Sequence, residues 1–190
     1  MRFVETPING CLIVEAEPHE DSRGLFARTW CAREFADANL PSLFVQSSVS
    51  RNSNAATIRG MHYQLPPSRE GKLVRCVRGG IFDAVVDIRH TSSTFLSSFT
   101  VDLTAQNLKA LYIPPGCAHG FQTIADETDV LYQMTDYHAP ELSDGFRWND
   151  PAVDIAWPLP VSLISTRDRE YSDLDESRLR GLVWKDGVEQ

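Results

Sequence analysis

The chain has 190 residues, a formal net charge of −8, and 42% hydrophobic and 23% charged residues. That length supports one domain over residues 1–190 with a substantial core, and the composition is that of a soluble globular protein. The acidic balance speaks against general attraction to nucleic acid or to an anionic membrane, so an anionic ligand needs a local basic pocket. Apolar runs such as "CLIV" and "ALYI" are far too short to span a membrane, and "MRFVETPING" has no apolar signal core. A cytoplasmic protein is therefore expected. Cys11, Cys31, Cys76 and Cys117 are widely separated and form no C-x-x-C. That pattern fits small buried hydrophobes in a reducing compartment.

In chain order, "GCLIVEAEP" ends at Pro18, and "RGLFARTW" follows the polar turn "HEDS". "AREFADANL", near residues 31–39, carries the first helical signal. "LFVQSSVS" runs to the turn "RNSN". "KLVRCVR" and "IFDAVVDIR" flank Gly79-Gly80, which predicts a two-residue hairpin. In the second segment Phe82, Ala84, Val86 and Ile88 share one face. Asp83, Asp87 and Arg89 share the other with Ile81 and Val85, which predicts a half-buried strand. "SSFTVDLT", "ALYIPPG", "HGFQTIA" and "DVLYQMTDY" continue the pattern, and a second helical signal lies near residues 174–181. Many short antiparallel strands at regular spacing predict a sandwich or barrel.

Two histidines sit in turn-rich settings beside strands. His62 lies in "RGMHYQ", and His119 closes P-x-G-x-x-H in "IPPGCAHGF". The latter spacing resembles the second motif of the cupin superfamily of small jelly-roll barrels. Metal-binding cupins add an earlier H-x-H and a carboxylate, but the corresponding stretch here is His62-Tyr63-Gln64. Glu70 could be a third ligand only if two histidines converge with it, so no metal is expected. In a regular strand Arg59 and His62 face opposite sides. If both line one pocket, the strand bulges or ends at Gly60. The plainer reading of His62 is a hydrogen-bonded core histidine, and of Arg59 and Lys72 a solvated strand face.

"DSRGLF", "RGMHYQ", "GKLVRCVRGGIFDAVVDIR", "IPPGCAHGF", "LYQMTDY" and "WNDP" occur in this order. Together they resemble the dTDP-4-dehydrorhamnose 3,5-epimerase family, from about residue 10 to about residue 170. The resemblance implies an all-β, cupin-type jelly-roll barrel with a few short helices, working without metal or cofactor. It implies a nucleotide-diphosphate-linked 4-keto-6-deoxyhexose as substrate. It also implies a homodimer, which would cover "CLIV", otherwise an edge-strand liability. Protons at C3 and C5 both lie α to the C4 ketone. A base can remove them to give an enolate, and reprotonation from the opposite face inverts the carbon. That chemistry needs a base, an acid across the ring, and a cation or donor near the ketone oxygen.

By resemblance, His62 matches the base, a side-chain type that takes and releases protons near neutral pH. Tyr132 matches the acid, Lys72 the cation, and Asp168 the carboxylate that orients the base. Arg23 and Arg59 match diphosphate-binding arginines. Gln46 and His119 match sugar or diphosphate contacts, and Phe26 a further substrate contact. Four substrate-contacting positions depart from the family. Arg28 and Ser143 stand where it has Glu, Ser48 where it has Asn, and His138 where it has Tyr. Most of these serve the nucleotide end, so a weakened preference for dTDP is expected, with CDP the leading alternative. The competing readings are a metal-dependent cupin enzyme, a non-catalytic sugar-nucleotide binding module, and a single-carbon epimerase or ketoisomerase.

Overall fold

The structure is a computed structural model, and it describes residues 1–184. Its strands are β1 (Arg2–Glu5), β2 (Leu12–Glu15), β3 (His19–Asp21), β4 (Gly24–Phe26), β5 (Gln46–Asn52), β6 (Thr57–Gln64) and β7 (Lys72–Arg78). They continue as β8 (Gly80–Asp87), β9 (Ser98–Thr104), β10 (Lys109–Ile113), β11 (Cys117–Thr123), β12 (Thr128–Met134), β13 (Ser143–Gly145) and β14 (Leu163–Ile164). The helices are α1 (Ala32–Asp37), α2 (Thr166–Glu170) and α3 (Glu176–Leu179). The first sheet runs β1-β2-β10-β7-β12-β5 and the second β13-β6-β11-β8-β9. β14 pairs β6 in parallel, and β3–β4 form a separate hairpin. Neighbours that are non-consecutive in sequence, in two facing sheets, make a jelly roll, the form that the resemblance implies within the sandwich or barrel class that the strand pattern predicts.

Alternation along the strands builds the core. Val74, Leu111 and Val130 of the first sheet meet Ile81, Val85 and Phe121 of the second between the layers. The outer face of the first sheet buries Leu73, Ala110 and Tyr112 under Phe35 of α1. Phe35 also meets Phe3 edge-on, with ring centroids 5.3 Å apart. Full burial of one such side chain contributes about 1.5–3 kcal/mol.

Four expectations from sequence change. The strand over residues 81–88 is buried on both faces, not one, because Phe146, Val153, Ile155 and Leu179 cover Ala84, Val86 and Ile88 from outside. Gly79-Gly80 is not a hairpin turn. β7 pairs β10 and β12 while β8 pairs β9 and β11, so the glycines carry the chain from one sheet to the other. Gly79 has φ +71°, and a Cβ there would collide with Thr128. "CLIV" is no edge, since β1 and β10 flank β2. Helix is not confined to the two segments expected, because α2 adds a third. That helix is capped by Ser165, whose Oγ accepts from the Asp168 N–H at 3.0 Å.

Candidate active site

A cleft of about 530 Å³ opens between the two sheets. One wall belongs to the first sheet. There Gln46, Met134 and Lys72 lie in register across β5, β12 and β7, and beside them Ser48 opposes Tyr132. The second sheet supplies the other wall. His62 and His119 stand in register across β6 and β11, and Gln64 opposes Ser143 across β6 and β13.

Arg59 and His62 both line this cleft, although they stand three positions apart on one strand. The register explains it. His119 faces His62 and Phe121 faces Arg59, so two residues of β6 oppose the single Gly120. The predicted bulge thus falls at Gly60, which has φ +125°. A Cβ on Gly60 would lie 2.8 Å from the His119 carbonyl oxygen, so the crossing needs glycine. Arg59 is then held by Asn52, whose Oδ1 accepts from Nε at 2.8 Å.

The Nε2 of His62 lies 2.7 Å from Oδ1 of Asp168, and the other carboxylate oxygen accepts from the Gly60 N–H at 3.2 Å. Burial alone would push the Asp168 carboxyl up. The bonds and charge from His62 and the Gly60 N–H outweigh it and hold Asp168 below the usual carboxylate range. An ionised carboxylate only accepts, so Nε2 carries the ring proton and Nδ1 is the basic nitrogen. The His62 side chain is 35% exposed, so this base can meet a ligand.

His119 makes a second such pair, its Nε2 2.7 Å from Asp83 Oδ1, with both side chains buried. Its ring meets that of Tyr132 edge-on at 5.9 Å. Burial, and then the charge of Asp83, push the Tyr132 phenol well above its ordinary range, against a smaller opposing effect of Arg59. Tyr132 is therefore a protonated donor near neutral pH. Lys72 pairs with Glu70 at 3.3 Å. At the rim, Gln64 Nε2 lies 3.1 Å from His138 Nδ1, Gln46 Oε1 accepts from the His138 N–H at 2.9 Å, and Ser143 Oγ accepts from Arg167 Nη2 at 3.0 Å.

His62, Lys72, Tyr132, Gln46, Ser48, Arg59, His119, His138 and Ser143 thus line one cleft, with Asp168 bonded behind His62. Arg23, Phe26 and Arg28 do not reach it within this chain. Arg23 is bonded to Asp21, Phe26 is 77% exposed on the β3–β4 hairpin, and Arg28 pairs with Glu34 at 2.9 Å. A basic Arg28 across from an acidic Glu34 is satisfied locally. Sequence reasoning missed Arg167 and Asp83. For Asp83 the available signal was that it shares a strand face with Ile81 and Val85, and for Arg167 it was the Ser165-x-x-Asp168 cap. Among the described residues no three His, Cys, Asp or Glu side chains converge as a metal-ligand set. Glu70 lines the cleft as the partner of Lys72.

Comparison with known proteins adds a family. The family described as dTDP-4-dehydrorhamnose 3,5-epimerase matches residues 5–176. A Methanothermobacter thermautotrophicus protein named dTDP-4-dehydrorhamnose 3,5-epimerase is 38% identical over 179 residues, covering 93% of this chain and 96% of its own. A Bacillus anthracis structure of the same name, with TDP and PPi bound, superposes with a TM-score of 0.88 at 33% identity over 91% of this chain and 99% of that one. A Legionella pneumophila epimerase solved with dTDP-4-keto-L-rhamnose superposes with a TM-score of 0.87 at 33% identity, covering 94% of this chain and 96% of that one.

Proposed function

The chain belongs to the dTDP-4-dehydrorhamnose 3,5-epimerase family, a family of isomerases, and from that membership we propose how its cleft works. The substrate is a nucleotide-diphosphate-linked 4-keto-6-deoxyhexose, inverted at C3 and C5. His62 takes the α proton on Nδ1 while Asp168 holds the ring and steadies the imidazolium that forms. Charge passes to the ketone oxygen, where the Lys72 ammonium donates to it. Tyr132 then protonates the carbon from the other wall. The imidazolium loses its proton and the phenolate gains one, both through solvent, so each inversion brings in one solvent hydrogen. Arg59 binds the diphosphate. The observation that carries this reading is the placing of the His62–Asp168 pair and a protonated Tyr132 on opposite sheets of one cleft.

The test is turnover in heavy water. Deuterium should enter at C3 and C5 with no metal or nicotinamide added, and His62→Ala should lower exchange by about 10²–10⁴-fold. Unchanged exchange in that variant would end the proposal.

The reading extends to assembly. Arg23 and Phe26 lie on a hairpin that packs outside both sheets and exposes Leu25 (54%) and Phe26 (77%). In a homodimer this arm would lie over the partner subunit's cleft, bringing an arginine and an aromatic ring to the ligand. Light scattering should give a dimer at micromolar concentration. The enzyme works in the cytoplasm, in keeping with four free cysteines, three of them buried.

The nucleotide end is proposed to be permissive. Ser143 is engaged by Arg167, so the rim presents a guanidinium, which only donates, where the family has a carboxylate acceptor. Hydrogen bonds to charged groups contribute about 1.5–3 kcal/mol, so thymine N3–H loses a partner of that order. Dissociation constants for dTDP, UDP, CDP and GDP in one buffer should fall within about tenfold of one another for dTDP and the best alternative, a gap of about 1.4 kcal/mol. A larger preference for dTDP would show the base pocket intact.

A further inference from the structure

We propose that Glu70 is a positioning residue for Lys72, fixing the ammonium that receives the ketone oxygen; this rests on the role given to Lys72 above. Glu70 is the only carboxylate among the described residues lining the cleft. Its Oε1 lies 3.3 Å from Lys72 Nζ, with the two side chains 6% and 16% exposed. A lysine ammonium rides on a flexible four-carbon stem and is strongly hydrated. Held in a cleft that also carries Arg59 and Arg167, it needs a counter-charge and a fixed rotamer.

Glu70 is itself held unusually firmly. Its N–H donates to Ser68 Oγ at 3.2 Å, and Ser68 Oγ donates to Asp136 at 3.3 Å. The Arg69 N–H donates to the same Asp136 oxygen at 2.9 Å. On the other side, Thr135 Oγ1 accepts from the Gly71 N–H at 2.7 Å and donates to the Arg69 carbonyl at 3.0 Å. Gly71 has no room for a side chain, since a Cβ would stand 2.9 Å from the Tyr112 hydroxyl. The backbone on both sides of Glu70 is thus fastened to residues 135 and 136, directly after the strand that carries Tyr132. The carboxylate is referenced to the proton donor's strand and to Lys72 together. An ammonium has three N–H groups, so one stays on Glu70 while another turns to the oxygen as it gains charge. Glu70 moves no proton and touches no reacting atom.

A double-mutant cycle tests this, with kcat and KM measured for Lys72→Met, Glu70→Gln and the pair, and folding checked by thermal melting. Lys72→Met should lower kcat about 10²–10³-fold, as expected for a lost oxyanion donor. Glu70→Gln should lower kcat about tenfold or more while KM changes less than about threefold, because ground-state binding is left in place. The double variant should be no slower than Lys72→Met alone. Full kcat in Glu70→Gln, or a double variant slowed by the product of the two single losses, overturns the inference and leaves the role of Lys72 standing. Full kcat in Lys72→Met overturns both.

Discussion

Two histidine–aspartate pairs have their histidines on adjoining strands, and their contact distance is the same. His62 meets Asp168 at 2.7 Å and His119 meets Asp83 at 2.7 Å, with the two rings in register across β6 and β11. Their surroundings differ. The His62 side chain is 35% exposed, and that of His119 is 5% exposed. Asp168 stands on α2 and accepts a second bond from the Gly60 N–H, whereas Asp83 has one oxygen buried with no partner among the described residues. A ring open to the cleft can pass a proton to a ligand. The His119 ring lines the same cleft but is nearly buried, and its aspartate acts through its field, helping to keep the neighbouring Tyr132 phenol protonated. One geometry thus serves two ends, and how far each ring is exposed in the cleft decides which.

The strongest way to break this comparison is to change each carboxylate. Asp168→Asn keeps the size of the side chain but lets an amide donate to Nε2. That selects the imidazole tautomer with its proton on Nδ1, the atom proposed to take the substrate's proton. The expected fall in kcat approaches that for loss of the base itself, about 10²–10⁴-fold. Deuterium incorporation should fall in step. Should Asp168→Asn keep kcat within a few-fold of the native enzyme, the orientation argument fails.

Asp83→Ala should act mainly on stability. It leaves the buried His119 Nε2–H without an acceptor, which costs about 1–3 kcal/mol. A chain of this size loses about 2–4 °C in Tm per kcal/mol, so a drop of several degrees is expected in a thermal melt. The fall in kcat should be smaller than for Asp168→Asn. Equal losses of kcat in the two variants would mean that burial does not separate the pairs, and that His119 also carries protons.

How much of this was legible before folding depends on the range of each contact. The sequence named Gly60 as the place for a bulge or strand end only on condition that Arg59 and His62 share a pocket; the structure meets that condition, with the bulge there. The alternation over residues 81–88 grouped the side chains by face, and the structure then places Ile81 and Val85 between the sheets and Ala84, Val86 and Ile88 on the other side. It could not tell that a distant segment, residues 146–179, covers the outer face. Gly79-Gly80 has the local chemistry of a hairpin, yet its partner strands are chosen by long-range packing, and the close approach of Thr128 claims the glycines. Helix α2 is five residues long, too short for a periodic signal. Arg23 and Phe26 matched the family pattern and Arg28 stood where the family has Glu, but nothing in the sequence signals that this segment lies away from its own cleft.

The finest difference between the pairs concerns acid. Asp168 is held below the usual carboxylate range in the folded protein, against an unfolded value near 3.9. Burial works against this shift, and the bonds from His62 and the Gly60 N–H produce it. A group whose folded pKa is depressed stabilises the fold fully above its unfolded pKa, and that contribution is lost as pH falls through the folded value. Asp168→Asn has no such carboxyl to protonate. The native protein should therefore melt higher than this variant at pH 7, and the gap should begin to close as pH drops below about 4. Melting both proteins from pH 7 to pH 3 under one ionic strength reads the effect directly. A gap that stays constant across that range would show that the Asp168 charge contributes nothing to the fold, leaving its bond to His62 as geometry alone.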